Sequence, residues 1–279
     1  MNNEASDSQG ETSSAVDVVD RNRQAWDSLV QNQNRWTLPV TTSQIEEARR
    51  GKFEVVLTPK RPVPQEWFPE SLKGQKILCL AGAGGQQSPI FAAAGAHVTV
   101  FDNSPMQLEQ DRLVAERDGL ELQLEQGDMA DLSRFSDESF DLVFHPCSNT
   151  FVPDVRVVYR EAARVLKAGG TMLSGFCNPL RWMFEDERHE NGQVNIMYRI
   201  PYSDVNSLSK TDYEKIVVQR GSPLEFSHTL ENQIDGQISA GLVLTGFFED
   251  RYAPEDGDVL SEYISTFIAT RSVKIRQPI

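Results

Sequence analysis

From Lys76 onward the chain repeats one construction: a short apolar run, a turn of small or acidic residues, then a capped helix stopped by glycine. Consecutive units of this kind predict a parallel sheet with helices on both faces, because each helix must carry the chain back before the next strand can lie beside the last. Lys76 to Leu80 reads as the first strand and Ala81 to Gln87 as its turn. Ser88-Pro89 offers an N-cap and a proline at the first helical position, with Gly95 as the stop. His97 to Phe101 is the second strand. Ser104-Pro105 repeats the device, Gln107 stands three residues after Ser104 as in a capping box, and Gly119 closes the helix. Leu120, Leu122 and Leu124 alternate with Glu121, Gln123 and Glu125, the pattern of a half-buried third strand ending at Gly127-Asp128. Phe140 to Phe144 is a fourth strand; a helix from Asp154 to Lys167, a stop at Gly169-Gly170 and a fifth strand, Thr171 to Phe176, follow.

The flanks break this rhythm. Residues 1–15 are polar and without apolar periodicity, so a disordered acidic tail is expected there. Residues 16–71 read as a helical lid and a connector: one helix through Val19, Trp26 and Val30, a second from Ser43 to Arg50, then Pro59, Pro62, Pro64 and Pro69 holding the chain extended. Residues 72–279 form the main domain, interrupted at 178–227 by a polar insertion with possible strands at Asn195 to Ile200 and Lys215 to Gln219. A helix from His228 to Ala240 and strands at Val243 to Phe248 and Ile264 to Thr270 complete it.

Charge and cysteine content narrow the partners. Asp and Glu number 41 against 27 Lys and Arg, a net charge of -14, and such a surface repels phosphate backbones; neither nucleic acid nor an anionic membrane is expected. No apolar stretch approaches bilayer length, and the N-terminus lacks the parts of a signal peptide, so the expected location is the cytoplasm. Cys79, Cys147 and Cys177 are odd in number and widely spaced, which indicates neither a disulfide framework nor a metal site.

In an open parallel sheet, ligands bind at the carboxyl ends of the strands, so the residues that end strands carry the functional signal. The first turn is Ala81-Gly82-Ala83-Gly84-Gly85-Gln86, and 17 residues after Gly85 the second strand ends in Asp102, placed to accept both hydroxyls of a ribose. A dinucleotide turn needs G-x-G-x-x-G so that a pyrophosphate can lie on bare backbone. Counted from Gly82, the third glycine position is Gln87, and the pattern fails. S-adenosylmethionine carries no phosphate and tolerates methyl groups there, so Ala81 and Ala83 favour a sulfonium cofactor. Any positive φ in the turn is expected at Gly84 and Gly85.

Five ordered segments carry a family resemblance: Ile77 to Gly85, Phe101 to Met106, Gln126 to Met129, Phe140 to Phe144 and Arg164 to Gly170. Together they resemble the class I S-adenosylmethionine-dependent methyltransferases, in the methyltransferase-11-like group. The resemblance implies a Rossmann-like α/β fold with a seven-stranded sheet, mostly parallel with an antiparallel last strand. It also implies S-adenosylmethionine as cofactor and methyl transfer to a small-molecule acceptor. By the same resemblance the first turn passes under the methionine part, Asp102 holds the ribose, Asn103 and Met106 flank the adenine, and Asp128-Met129 reads its edge. The family has an acid where this chain has Cys79, and glycines where it has Ala81 and Ala83; the amides of Gln86 and Gln87 stand beside the turn as partial substitutes. His145, just past the fourth strand, is the candidate general base and a candidate cofactor contact, since an imidazole takes up a proton near neutral pH. Cys147 reads as a small buried side chain, and Trp26 and Trp36 as packing anchors. A nicotinamide-type oxidoreductase and a noncatalytic S-adenosylmethionine binder remain as alternatives. The acceptor and the oligomeric state are not written in the sequence.

Overall fold

The computed structural model describes residues 17–184 and 194–275; the tail expected at 1–15 lies outside the described residues. Nine strands occur among the described residues: β1 (Lys76–Leu80), β2 (His97–Asp102), β3 (Leu122–Gln126), β4 (Phe140–His145), β5 (Leu166–Cys177), β6 (Tyr202–Ser203), β7 (Phe226–Ser227), β8 (Leu242–Asp250) and β9 (Phe267–Lys274). Seven form one sheet in the order β3-β2-β1-β4-β5-β9-β8, while β6 and β7 pair in a small separate ribbon. Strands β1 to β5 are parallel, and β9 runs antiparallel to both of its neighbours. The reversed last strand expected from the resemblance is therefore present, lying between β5 and β8.

The helices are α1 (Val18–Gln31), α2 (Thr42–Arg49), α3 (Gln87–Ala93), α4 (Pro105–Asp118), α5 (Val155–Val165), α6 (Asp204–Ser207), α7 (Lys210–Tyr213) and α8 (Leu230–Ser239). Alternate residues of β1 feed two cores. Ile77 and Cys79 join Ile45 and Ala48 of α2, Phe91 of α3, and Leu108 and Val114 of α4. Leu78 and Leu80 join Val158, Tyr159 and Ala162 of α5 on the opposite face. Burial on both faces explains why β1 and β4 read as continuous apolar runs, whereas the edge strand β3 alternates.

Some boundaries and two elements differ from the sequence reading. Helix α3 starts at Gln87, and Ser88 is not its cap: the hydroxyl turns inward to donate to Asp111. Helix α5 ends at Val165, because the chain enters β5 directly and the β4–β5 register shifts between Phe140 and Leu142, with Gly169 (φ 84°) and Gly170 in the irregular stretch. Lys215 to Gln219 is helical, part of a π-helical turn Glu214–Gln219 after α7; only Val217 of its apolar run is buried, and no neighbouring strand receives it. Asn195 to Ile200 contributes a single bridge, Phe184 to Ile196.

The proline-rich connector does not run free. It folds back on itself, with Val63 N donating to Val55 O at 2.9 Å, and lies across the sheet end, where Cys147 N donates to Leu57 O at 3.1 Å. This seat requires glycine in β5: a Cβ on Gly175 would stand 2.1 Å from Leu57 O. Because backbone on both sides is fixed, Gly175→Ala should destabilise the fold by about 1–3 kcal/mol, as overpacking does. A urea titration should show a lower midpoint at unchanged m-value. Wild-type stability in this variant would mean that the connector is not seated on β5.

Candidate functional site

The strand order reverses between β1 and β4, whose crossovers leave in opposite directions, and the carboxyl ends of the central strands open there on a cavity of about 720 Å³. Ala81, Gly82, Asp102 and Asp128 lie on its sheet side; Trp26 of α1 and Thr58 of the connector close it from above. A larger groove, about 880 Å³, runs past Lys76 and His97, the first residues of β1 and β2. That groove faces the starts of the strands, where folds of this kind place no ligand.

The first turn is held from several sides. Gly84 and Gly85 take positive φ, 111° and 69°, as expected, but Ala81 does so as well, at 47°. A left-handed alanine costs about 1–2 kcal/mol, and the surroundings hold it there: Ala81 N donates to Phe101 O at 2.8 Å, and Ser148 Oγ donates to Ala81 O. Asp102 accepts from Ala83 N at 3.2 Å and from Ser104 N at 2.9 Å. Burial pushes its carboxyl up to about 6 against the lowering effect of these bonds. Gln107 supplies only half of a capping box: its N–H donates to Ser104 Oγ at 3.1 Å, while its buried Oε1 has no partner and stands over Gly84 at the cavity wall.

Of the residues singled out by sequence, Ala81, Gly82, Ala83, Gln86, Asp102, Asn103, Asp128 and Met129 line this cavity. Gly84 and Gly85 lie behind it, buried against α4. Met106 points to α1, where Gln31 Nε2 donates to its sulfur at 3.4 Å. Asn103 is partly committed to the same helix, donating from Nδ2 to Val19 O at 2.6 Å. Trp26 and Trp36, expected as packing anchors, also line the cavity, as does Cys147, which is only partly buried.

His145 departs from its expected place. The ring is fully buried, outside the cavity lining, with Nδ1 2.8 Å from Leu80 O and Nε2 2.6 Å from Asn149 Oδ1. Asn149 continues to Tyr159 Oη (2.9 Å) and Gln233 Oε1 (3.1 Å), a buried polar chain between α5 and α8. Burial lowers the imidazole's affinity for a proton. Leu80 O and Asn149 Oδ1 are both acceptors, so a neutral ring donates to one of them and faces the other with its unprotonated nitrogen.

Sequence reasoning missed the other end of the cavity. Arg35 stacks over Trp36 (4.5 Å) and Tyr252 (5.2 Å), and Arg181 lies over Tyr252 (5.7 Å) and Phe267 (5.8 Å). Asp256 joins Lys60 (2.8 Å) and Arg35 (3.5 Å), while Asp258 joins Arg181 (2.6 Å). These residues come from segments far apart in the chain, so no local spacing announces them. Asp111 was missed as well, although a signal existed: it falls among Leu108 and Val114 on the buried stripe of α4, where an acid is out of place.

With this geometry in hand, the comparisons with known proteins agree on one group. A family model described as a methyltransferase domain matches residues 78–174. An uncharacterized methyltransferase of Bacillus subtilis (strain 168), YbaJ, is 48% identical over 258 residues, which is 92% of this chain and 99% of that protein. A sterol 24-C-methyltransferase of Gibberella zeae, ERG6A, is 35% identical over 117 residues, 41% of this chain and 29% of its own length. Among solved structures, an S-adenosylmethionine-dependent methyltransferase from Mesorhizobium loti superposes with a TM-score of 0.59 at 17% identity, covering 75% of this chain and 94% of its own, a likeness of fold alone.

The buried imidazole gives a direct expectation. A folded-state pKa below the usual 6.5 means the native protein binds fewer protons at this ring than the unfolded chain, so its contribution to stability is full above 6.5 and is lost as pH falls from there through the folded-state pKa. Nitrogen-15 NMR of histidine-labelled protein should show a neutral His145 ring at pH 7. An imidazolium there would mean that the ring is a charged donor to both neighbours.

Proposed function

Because the chain belongs to the class I S-adenosylmethionine-dependent methyltransferases, we propose that its cavity takes the cofactor at the β1–β2 side and a small-molecule acceptor at the Trp36–Tyr252 side. The observation that carries this reading is the meeting of a small-residue turn and the Asp102 carboxylate on one cavity. Such a turn lets a ligand approach bare backbone, and a carboxylate can accept from both hydroxyls of a ribose. Gln107 Oε1, a buried acceptor without a partner, fits a cofactor that brings N–H donors.

On this reading Ala81 to Ala83, Gln86 and Gln107 bear the methionine end, Asp102 holds the ribose, and Asn103, Asp128 and Met129 surround the adenine. Gly84, Gly85 and Met106 act from behind. When bound, the cofactor supplies an electrophilic methyl on a sulfonium. The chain's own part is to bind and orient both molecules and to exclude water; residues 16–71 serve as lid and 178–227 as cap of the domain 72–279. Orientation in a dry site is worth roughly 7–11 kcal/mol of barrier. No histidine among the described residues lines the cavity, and His145 has both nitrogens engaged, so it is a positioning group for Leu80 and the turn rather than a base.

The acceptor is a planar or partly apolar small molecule. The aromatic walls suit one. A nicotinamide reading loses support from the failed glycine spacing and from family membership.

Calorimetry should detect binding of S-adenosylmethionine and S-adenosylhomocysteine but not of NAD. Asp102→Ala should weaken both by about 1.5–3 kcal/mol, roughly 10- to 150-fold. Because ribose hydroxyls donate to the ionised form, affinity should also fall as pH drops below about 6. Unchanged affinity in Asp102→Ala would misplace the ribose. Incubation of a metabolite extract with a methyl-labelled donor should yield a labelled small molecule; label found only on protein or nucleic acid would overturn the acceptor class.

A further inference from the structure

In β1 this chain carries a thiol, Cys79, where an acid is expected to serve the turn, yet a carboxylate is present beside it on another element. Asp111 of α4 is fully buried and accepts from Gly84 N at 2.8 Å, from Gly85 N at 3.1 Å and from the Ser88 hydroxyl. Two successive N–H groups pointing at one anion form a nest, and here the anion is the protein's own. Among the described residues no Lys or Arg pairs with this acid. Burial, and to a smaller extent the charge of Asp102 on β2, push its carboxyl up to about 7; burial, and after it the charge of Asp111, raise the neighbouring Cys79 thiol on β1. An uncompensated carboxylate in the core is costly unless it is fully hydrogen-bonded. Its bonds all go to the turn and to the start of α3.

Resting on the cofactor reading above, we propose that Asp111 is the positioning residue of the cofactor turn, holding Gly84 and Gly85 from α4 in its ionised form. Protonation on Oδ1 reverses the Ser88 bond, so that the carboxyl donates to Ser88 Oγ, and it leaves the Gly84 and Gly85 N–H groups on a neutral oxygen, a weaker acceptor than a carboxylate; the turn therefore loosens as pH falls through the group's range. The other titratable groups facing it are Asp102, which titrates lower, and Cys79, which stays a thiol throughout.

The test is S-adenosylhomocysteine affinity by calorimetry between pH 8 and pH 6.5, in wild type and Asp111→Asn. The wild-type affinity should fall about fourfold over this interval, the ratio of ionised fractions for a group titrating near 7. Asp111→Asn, which keeps the size and an acceptor, should bind about tenfold more weakly at pH 8 and show no fall, a loss on the scale of one charge-assisted hydrogen bond. If the variant does not fold, wild type still decides the matter. Repeating the pH 7 titration in buffers of different ionisation enthalpy should show release of up to about half a proton per site, as linkage requires when binding favours the ionised acid. Equal affinity and equal pH profile in the two proteins, or no proton release in wild type, would overturn the assignment. Absence of any binding by wild type would instead overturn the cofactor reading.

Discussion

Strands β1 and β4 lie side by side but send their chains to opposite faces of the sheet, and the gap this leaves is what the rest of the molecule is organised around. Parallel strands expose unpaired backbone at their carboxyl ends, and only a tight turn can lead the chain away without filling the gap. The stretch from Leu80 to Gly85 is that turn, and it is fixed at nearly every residue. His145 holds Leu80 O, Ser148 holds Ala81 O, Asp102 holds Ala83 N, and Asp111 holds Gly84 N and Gly85 N. A left-handed alanine persists only where its surroundings over-determine it, and these contacts supply that condition.

The same contacts show where the fold accepts cost. Buried carboxylates and a buried imidazole are unfavourable in a core, and both helix-covered faces of the sheet carry one. Asp111 and Ser88 lie on the α3–α4 side; His145, Asn149 and Tyr159 lie on the α5–α8 side. Each group reaches the turn or the residue that starts it. These two polar clusters stand beside the turn, while both cores are otherwise filled by residues such as Ile77, Val98, Val143 and Met172.

How much of this was legible in the sequence depended on whether a feature is local. Strand β1 matched to the residue, because four apolar residues after Lys76, closed by a small-residue turn, admit one reading. Helix α4 did as well, since Ser104, Pro105 and Gly119 each act on their own backbone. Ser88 misled because a hydroxyl before a proline is an equally good cap or core donor, and a partner 23 residues away decides. Lys215 to Gln219 misled because a short apolar run has no period of its own. Asp102 was legible as a strand-end residue and Asp128-Met129 through the family resemblance; Asp111 showed only as an acid on a buried stripe, and its partners, like the Arg35–Tyr252 pair, come from contacts across the fold.

That division has a chemical counterpart. The methyltransferase-domain model spans residues 78–174, which contains the turn, Asp102, Asp128 and His145. Arg35, Trp36, Arg181, Tyr252 and Phe267 all lie outside it, in the segment between α1 and α2, the stretch after β5 and the β8–β9 region. The matched region thus covers the turn and Asp102 side of the cavity and leaves the Trp36–Tyr252 side to segments outside it. The sterol methyltransferase matches 117 residues, 41% of this chain, too few to reach from Trp36 to Tyr252. The Bacillus subtilis relative matches 92%, which leaves too little unmatched chain to hold all of the segments on that side. A substrate found for either of the two proteins is therefore the first compound to try with the other.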